Sequence, residues 1–155
     1  MLGFSAPSID IEQFEPVSID AKHEEINCAC AALGLTLAGN RLAGYYVQKA
    51  ILELRDTPLH NLLDSLPGKD PLENKRSIDI VTNTDLRVFA RHIKMNIYLY
   101  VCYPEERPRW ECYTGTKKCA ERAALYLKMI KDGGRDHVLV VYQVLPRTTP
   151  LPRSE

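Results

Sequence analysis

The run CACAALGLTL, residues 28 to 37, constrains this chain more than any other stretch. It is small and apolar, Gly34 is its sole breaker, and Asn27 just ahead of it is a strong N-cap type. A helix that is apolar on all sides has no face to give to water, so it must be enclosed by other elements. The rest of the chain therefore has to wrap a buried helix that starts near Cys28.

Gly39-Asn40 ends that helix, and Leu42, Tyr45, Tyr46, Ala50, Leu52 and Leu54 then recur at helical spacing up to Asp56. Pro58 suits the first turn of a third helix in DTPLHNLLDSL, which Pro67-Gly68 stops. GKDPLENKRS reads as a surface loop leading to a short strand, Ile78 to Val81. Thr84-Asp85 predicts another helix start, with Leu86, Phe89, Ala90 and Ile93 as its stripe and an end near Lys94. The period then changes from helical to alternating. Asn96 to Tyr103 and Trp110 to Tyr113 flank the turn PEERP as a hairpin, and two further strands, at Leu125 to Met129 and Val138 to Tyr142, flank KDGGRD. Residues 120 to 130 suit a helix almost as well. The pattern is α+β, with N-terminal helices packed against a small, mostly antiparallel sheet.

With 155 residues and 45% apolar content the chain can fill one core. The expected organisation is an N-terminal arm at 1–19, one domain over 20–145 and a flexible Pro-rich tail at 146–155. Twenty basic residues balance twenty acidic ones, so nothing favours a nucleic acid or an anionic membrane as partner. The N-terminal stretch MLGFSAPSIDIEQFEP lacks the pattern of a signal peptide. Five cysteines, an odd number at irregular spacing, read as reduced thiols and suggest a cytoplasmic setting. A lone C-x-C is poor zinc spacing, so no metal is expected.

A thiol attacks as thiolate, and a helix N-terminus lowers the thiol pKa by its partial positive charge. Cys28 stands at such a terminus. His137, after a Gly-Gly turn and at the start of an apolar strand, is a candidate general base. Cys30, two positions along, belongs on a different face and reads as core, and His23, His60 and His92 carry no partner pattern.

In these residues the chain resembles the ovarian-tumour (OTU) family of cysteine proteases, in which the nucleophile follows Asp-Gly-Asn at a turn into a helix. Glu25-Ile26-Asn27-Cys28-Ala29-Cys30-Ala31-Ala32 agrees at Asn-Cys and at the small residue four later. Thr84-Asp85-Leu86, Asn96-Ile97-Tyr98-Leu99-Tyr100, Arg109-Trp110 and Asp136-His137-Val138-Leu139-Val140-Val141 follow in the family's order. The resemblance implies a papain-like OTU-type domain with Cys28 as nucleophile and His137 as base. It also implies an oxyanion hole from Glu25, Ile26, Asn27 and Cys28. A monomeric deubiquitinase-like isopeptidase follows, one that cleaves ubiquitin or a related modifier from lysine without a cofactor. Trp110 is a candidate for the groove that takes the substrate tail.

Three positions depart from the family pattern. Glu25-Ile26 replaces Asp-Gly, Val138 replaces an aromatic residue, and Leu139 stands where an acid usually orients the histidine. Asp20, upstream of the cysteine, is then the candidate orienting acid. The alternative reading is an impaired OTU-like module that binds ubiquitin or another protein without hydrolysis.

Overall fold

In the computed structural model residues 16–17, 26–68, 74–115, 124–132 and 135–141 are described. The enclosed helix, α1, runs Cys28–Ala38 and ends on Gly39, whose left-handed backbone (φ 72°) lets its N–H reach the Leu35 carbonyl. A single 3₁₀ turn, Arg41–Ala43, leads into α2, Gly44–Leu54. The two helices meet at glycines. A Cβ on Gly34 would stand 2.3 Å from the Gly44 amide nitrogen, so the backbones approach more closely than any side chain permits. Helix α3, Pro58–Asp64, is capped by Thr57 and has proline in its first turn. Helix α4, Asn83–Ile93, starts on a reciprocal capping box in which Thr82 and Asp85 exchange hydrogen bonds. The Thr84 start expected from sequence is thus displaced by two residues, because Thr82 caps the helix and Asp85 serves as its third residue.

The sheet has the order β1-β5-β4-β2-β3, where β1 is Pro16–Val17, β2 Ile97–Cys102, β3 Arg109–Tyr113, β4 Leu125–Asp132 and β5 Arg135–Val141. Three of its pairings are antiparallel; β2 and β4 alone run parallel, with β4 and β3 on opposite sides of β2. The expected α+β class and mostly antiparallel sheet hold. So does the strand over Leu125 to Met129, whose alternation outweighs its helical reading. The arm contributes β1, which pairs Pro16 with Val141 and Val17 with Val140.

Alternation divides the sheet into two faces. Ile97, Leu99, Val101, Leu125 and Leu127 join Cys30, Leu33, Ile51 and Phe89 in the main core, with the helices covering that side. Tyr98, Tyr126 and Trp110 form a separate aromatic cluster on the other side. There Tyr98 stacks on Tyr126 with ring centroids 5.5 Å apart. Among the described residues no helix is long and apolar enough to cross a membrane.

One expected strand is absent. Ile78 to Val81 is irregular, since its carbonyls are bonded by side chains rather than by a neighbouring strand. Asn27 donates to two of these carbonyls, those of Ile78 and Asp79, and Arg55, just past α2 and 0% exposed, donates to that of Ile80. Arg55 Nε and Nη2 donate to both oxygens of Asp85, at 3.0 and 2.7 Å. Nη2 also donates to Ile80 O, and Nη1 to Lys75 O and Ser77 O. All five guanidinium hydrogens are thereby used, which is what makes a fully buried cation tolerable. His60, on α3 and also 0% exposed, sets Nε2 2.7 Å from the same carboxylate. Three helices are joined by one acid.

Burial works to raise the pKa of Asp85, but hydrogen bonds from Arg55, the Thr82 amide and His60, together with the Arg55 charge, outweigh it and hold it below the ordinary carboxylate value. A depressed carboxylate stabilises the fold fully above its unfolded pKa, about 4, and loses that contribution as pH falls through the folded value. Asp85→Asn should cost about 3–5 kcal/mol in urea unfolding at pH 7, since it leaves Arg55 charged and buried without its partner. The deficit relative to the parent should shrink below pH 4. A variant as stable as the parent at neutral pH would contradict this account.

Candidate active site

Asn27 precedes α1 and every polar group it owns is engaged. Its Oδ1 accepts from the Ala29 and Cys30 amides at 2.8 and 3.4 Å, capping the helix. Its carbonyl accepts from the Ala31 amide at 2.8 Å. Its Nδ2 donates to the carbonyls of Ile78 and Asp79 at 3.0 and 3.1 Å, and its backbone N–H donates to Gln48 Oε1 on α2 at 2.6 Å. One residue thus ties the start of α1 to α2 and to the irregular segment before α4.

Cys28 follows as the first residue of α1, half-buried and packed against the main core. Cys30 differs sharply. It is fully buried, and burial, with the charges of Asp85 and Cys28 adding, pushes its thiol up to about 12. Of these two cysteines Cys28 is the accessible one, and Cys30 lies in the core as the helical spacing predicts.

Within the expected oxyanion segment, the N–H of Asn27 is already given to Gln48 and that of Ala29 to the cap. Ile26 is buried. Glu25 and Asp20, the expected orienting acid, lie outside the described residues.

His137 belongs to β5, and α1 packs against β5 and β4. The register sets position 137 opposite Ile130, which in turn pairs with Cys102. That row alternates with the row Val101, Met129, Val138, of which Val101 and Met129 pack in the core beneath the helices. The elements carrying Cys28 and His137 are therefore neighbours, while the backbone row of position 137 is the one continuous with Tyr98 and Tyr126. Trp110 sits in the aromatic cluster, packed against Tyr98, Tyr100 and Tyr126 on the sheet face away from α1.

Sequence reasoning passed over Gln48, Arg55, His60 and the partnership of Asp85. Spacing gives no sign of contacts between residues 21 and 30 positions apart, although the Thr82-x-x-Asp85 capping pattern was available as a signal.

Iodoacetamide at pH 8 should modify Cys28 in the native protein and leave Cys30 unmodified until the chain is unfolded, as read by peptide mapping. Equal labelling of the two would show that α1 is not enclosed as described.

No family model matches the sequence, and no curated protein does. Among solved structures, the fold is similar to the crystal structure of the viral OTU domain protease from Qalyub virus, with a TM-score of 0.55 at 14% identity, covering 84% of this chain and 87% of that one. At that identity the similarity establishes an OTU-like fold.

Proposed function

We propose that this domain is a thiol isopeptidase of the deubiquitinase type, with Cys28 as nucleophile and His137 as general base. The observation that carries the reading is the setting of Cys28, at the capped N-terminus of an enclosed helix packed against the strand that bears His137, in an OTU-like fold. A thiolate there gains from the helix terminus and remains half-exposed to substrate.

In the proposed reaction the Cys28 thiolate attacks the carbonyl of an isopeptide bond and His137 delivers a proton to the departing lysine amine. His137 then takes a proton from water, whose oxygen attacks the thioester, and the carboxylate product leaves as the thiolate is restored. Asp20 is proposed to orient the imidazole, since Leu139 has no acceptor to offer it. The developing oxyanion would be met by the Cys28 amide and by the preceding turn of Glu25 and Ile26, with Asn27 acting through its cap rather than its N–H. The modifier is proposed to be ubiquitin or a ubiquitin-like protein, and the chemistry needs no cofactor.

A second reading, a module that binds such a modifier without cleaving it, has its own support. Leu139 removes the usual orienting acid, and position 137 falls in the register row of Ile130 and Cys102 rather than in the row of the helical core.

A ubiquitin probe with a thiol-reactive C-terminus separates them. The isopeptidase reading expects an adduct at Cys28 that is lost in Cys28→Ala and slowed by about 100-fold or more in His137→Ala, with turnover rising between about pH 5 and 9. A folded protein that binds ubiquitin and forms no adduct would establish the second reading and end the first.

A further inference from the structure

From residue 74 to residue 82 the chain has neither ladder nor helix to fix it, yet five of the six carbonyls from residue 75 to residue 80 are held. Those of Lys75, Ser77 and Ile80 accept from Arg55. Those of Ile78 and Asp79 accept from the side chain of Asn27. Two side chains thus set the path of this segment, one buried at the end of α2 and the other immediately before Cys28.

The link has a direction of stiffness. Arg55 is locked by both oxygens of Asp85, which is itself fixed by the capping box of α4. The 75–80 segment hangs from that anchor, and Asn27 hangs from the segment through Nδ2. The same Asn27 side chain aims Oδ1 at the first amides of α1. A shift of the segment therefore turns the Asn27 amide, changes the cap and moves the backbone at Cys28.

We infer that Arg55 is a positioning residue for the Cys28 site, acting through the 75–80 segment and Asn27 without touching the thiol. The role rests on the reading of Cys28 as the reactive group. Lysine cannot replace arginine here, since one ammonium cannot grip a carboxylate at two points and also reach three carbonyls.

The test uses Arg55→Lys, Asn27→Ser and the double variant. Serine keeps an acceptor for the helix cap and removes both donors to the segment. Each protein, checked for its fold by circular dichroism, is alkylated with iodoacetamide, and the rate at Cys28 is divided by the rate at Cys102 in the same molecules. Each single variant should raise that ratio about three-fold as the segment loosens, and the double variant should raise it no further, because both substitutions cut one path. Adducts with the ubiquitin probe should fall in the same variants.

A ratio unchanged in folded Arg55→Lys, or a double variant equal to the product of the singles, would overturn the inference. Should Arg55→Lys fail to fold, Asn27→Ser alone decides. Hydrogen exchange at residues 77–80 should quicken in it, and unchanged protection there would equally overturn the coupling. A parent protein that forms no probe adduct would count against the isopeptidase reading only, since the alkylation ratio does not depend on ubiquitin.

Discussion

The Arg55–Asp85 ion pair is the interaction on which the helical half of this protein depends. Removing two charges from water costs several kcal/mol for each ion, and a lone pair bond would not recover it. Here the cation spends every donor, and the acid receives hydrogen bonds from α4, from Arg55 and from His60. Apolar packing could have joined the same helices. It would not have held the carbonyls of an irregular segment, which need donors of defined direction. The polar interior thus does a task that leucine could not, and through the 75–80 segment and Asn27 it is linked to the start of α1.

Against that polar anchor stands the dry enclosure of α1. It lies close to α2 through Gly34 and Gly44, and its residues 29 to 34 are buried among the sheet and the neighbouring helices, while Leu37 and Ala38 at its far end are exposed. The result is a helix enclosed through its middle, with a half-buried start at Cys28 and an exposed end at Leu37 and Ala38. Rigidity at that start matters for any chemistry there, because a positioned nucleophile gains more from a fixed backbone than from a mobile one.

Much of this architecture was legible in the sequence. The apolar run with its Asn27 cap, Gly39 as a terminator, Pro58 in a first turn and the change of period after Lys94 each act over a few residues, and each gave an element where one is found. Ile78 to Val81 misled for the opposite reason. Its β-branched composition favours a strand, but Arg55 and Asn27, both remote in sequence, took its carbonyls first. The start of α4 lies two residues ahead of the expected Thr84 because Thr82 is the cap, with Asp85 as its reciprocal partner three residues on. Of the candidate site, the cysteine and its helix were legible, since capping is local. The proposed partnership with His137 would join elements a hundred residues apart, and periodicity carries no information about which strand a helix will meet.

The sheet's outermost strand on the β5 side has a further consequence. Only two residues long, β1 begins with proline, which has no N–H to offer beyond the sheet. Exposed strand margins invite pairing with other molecules, and a short margin that opens on proline is poor at recruiting them. The N-terminal segment thereby covers the Val140–Val141 end of β5 against intermolecular strand addition, and a chain shortened past Val17 would lay that end open.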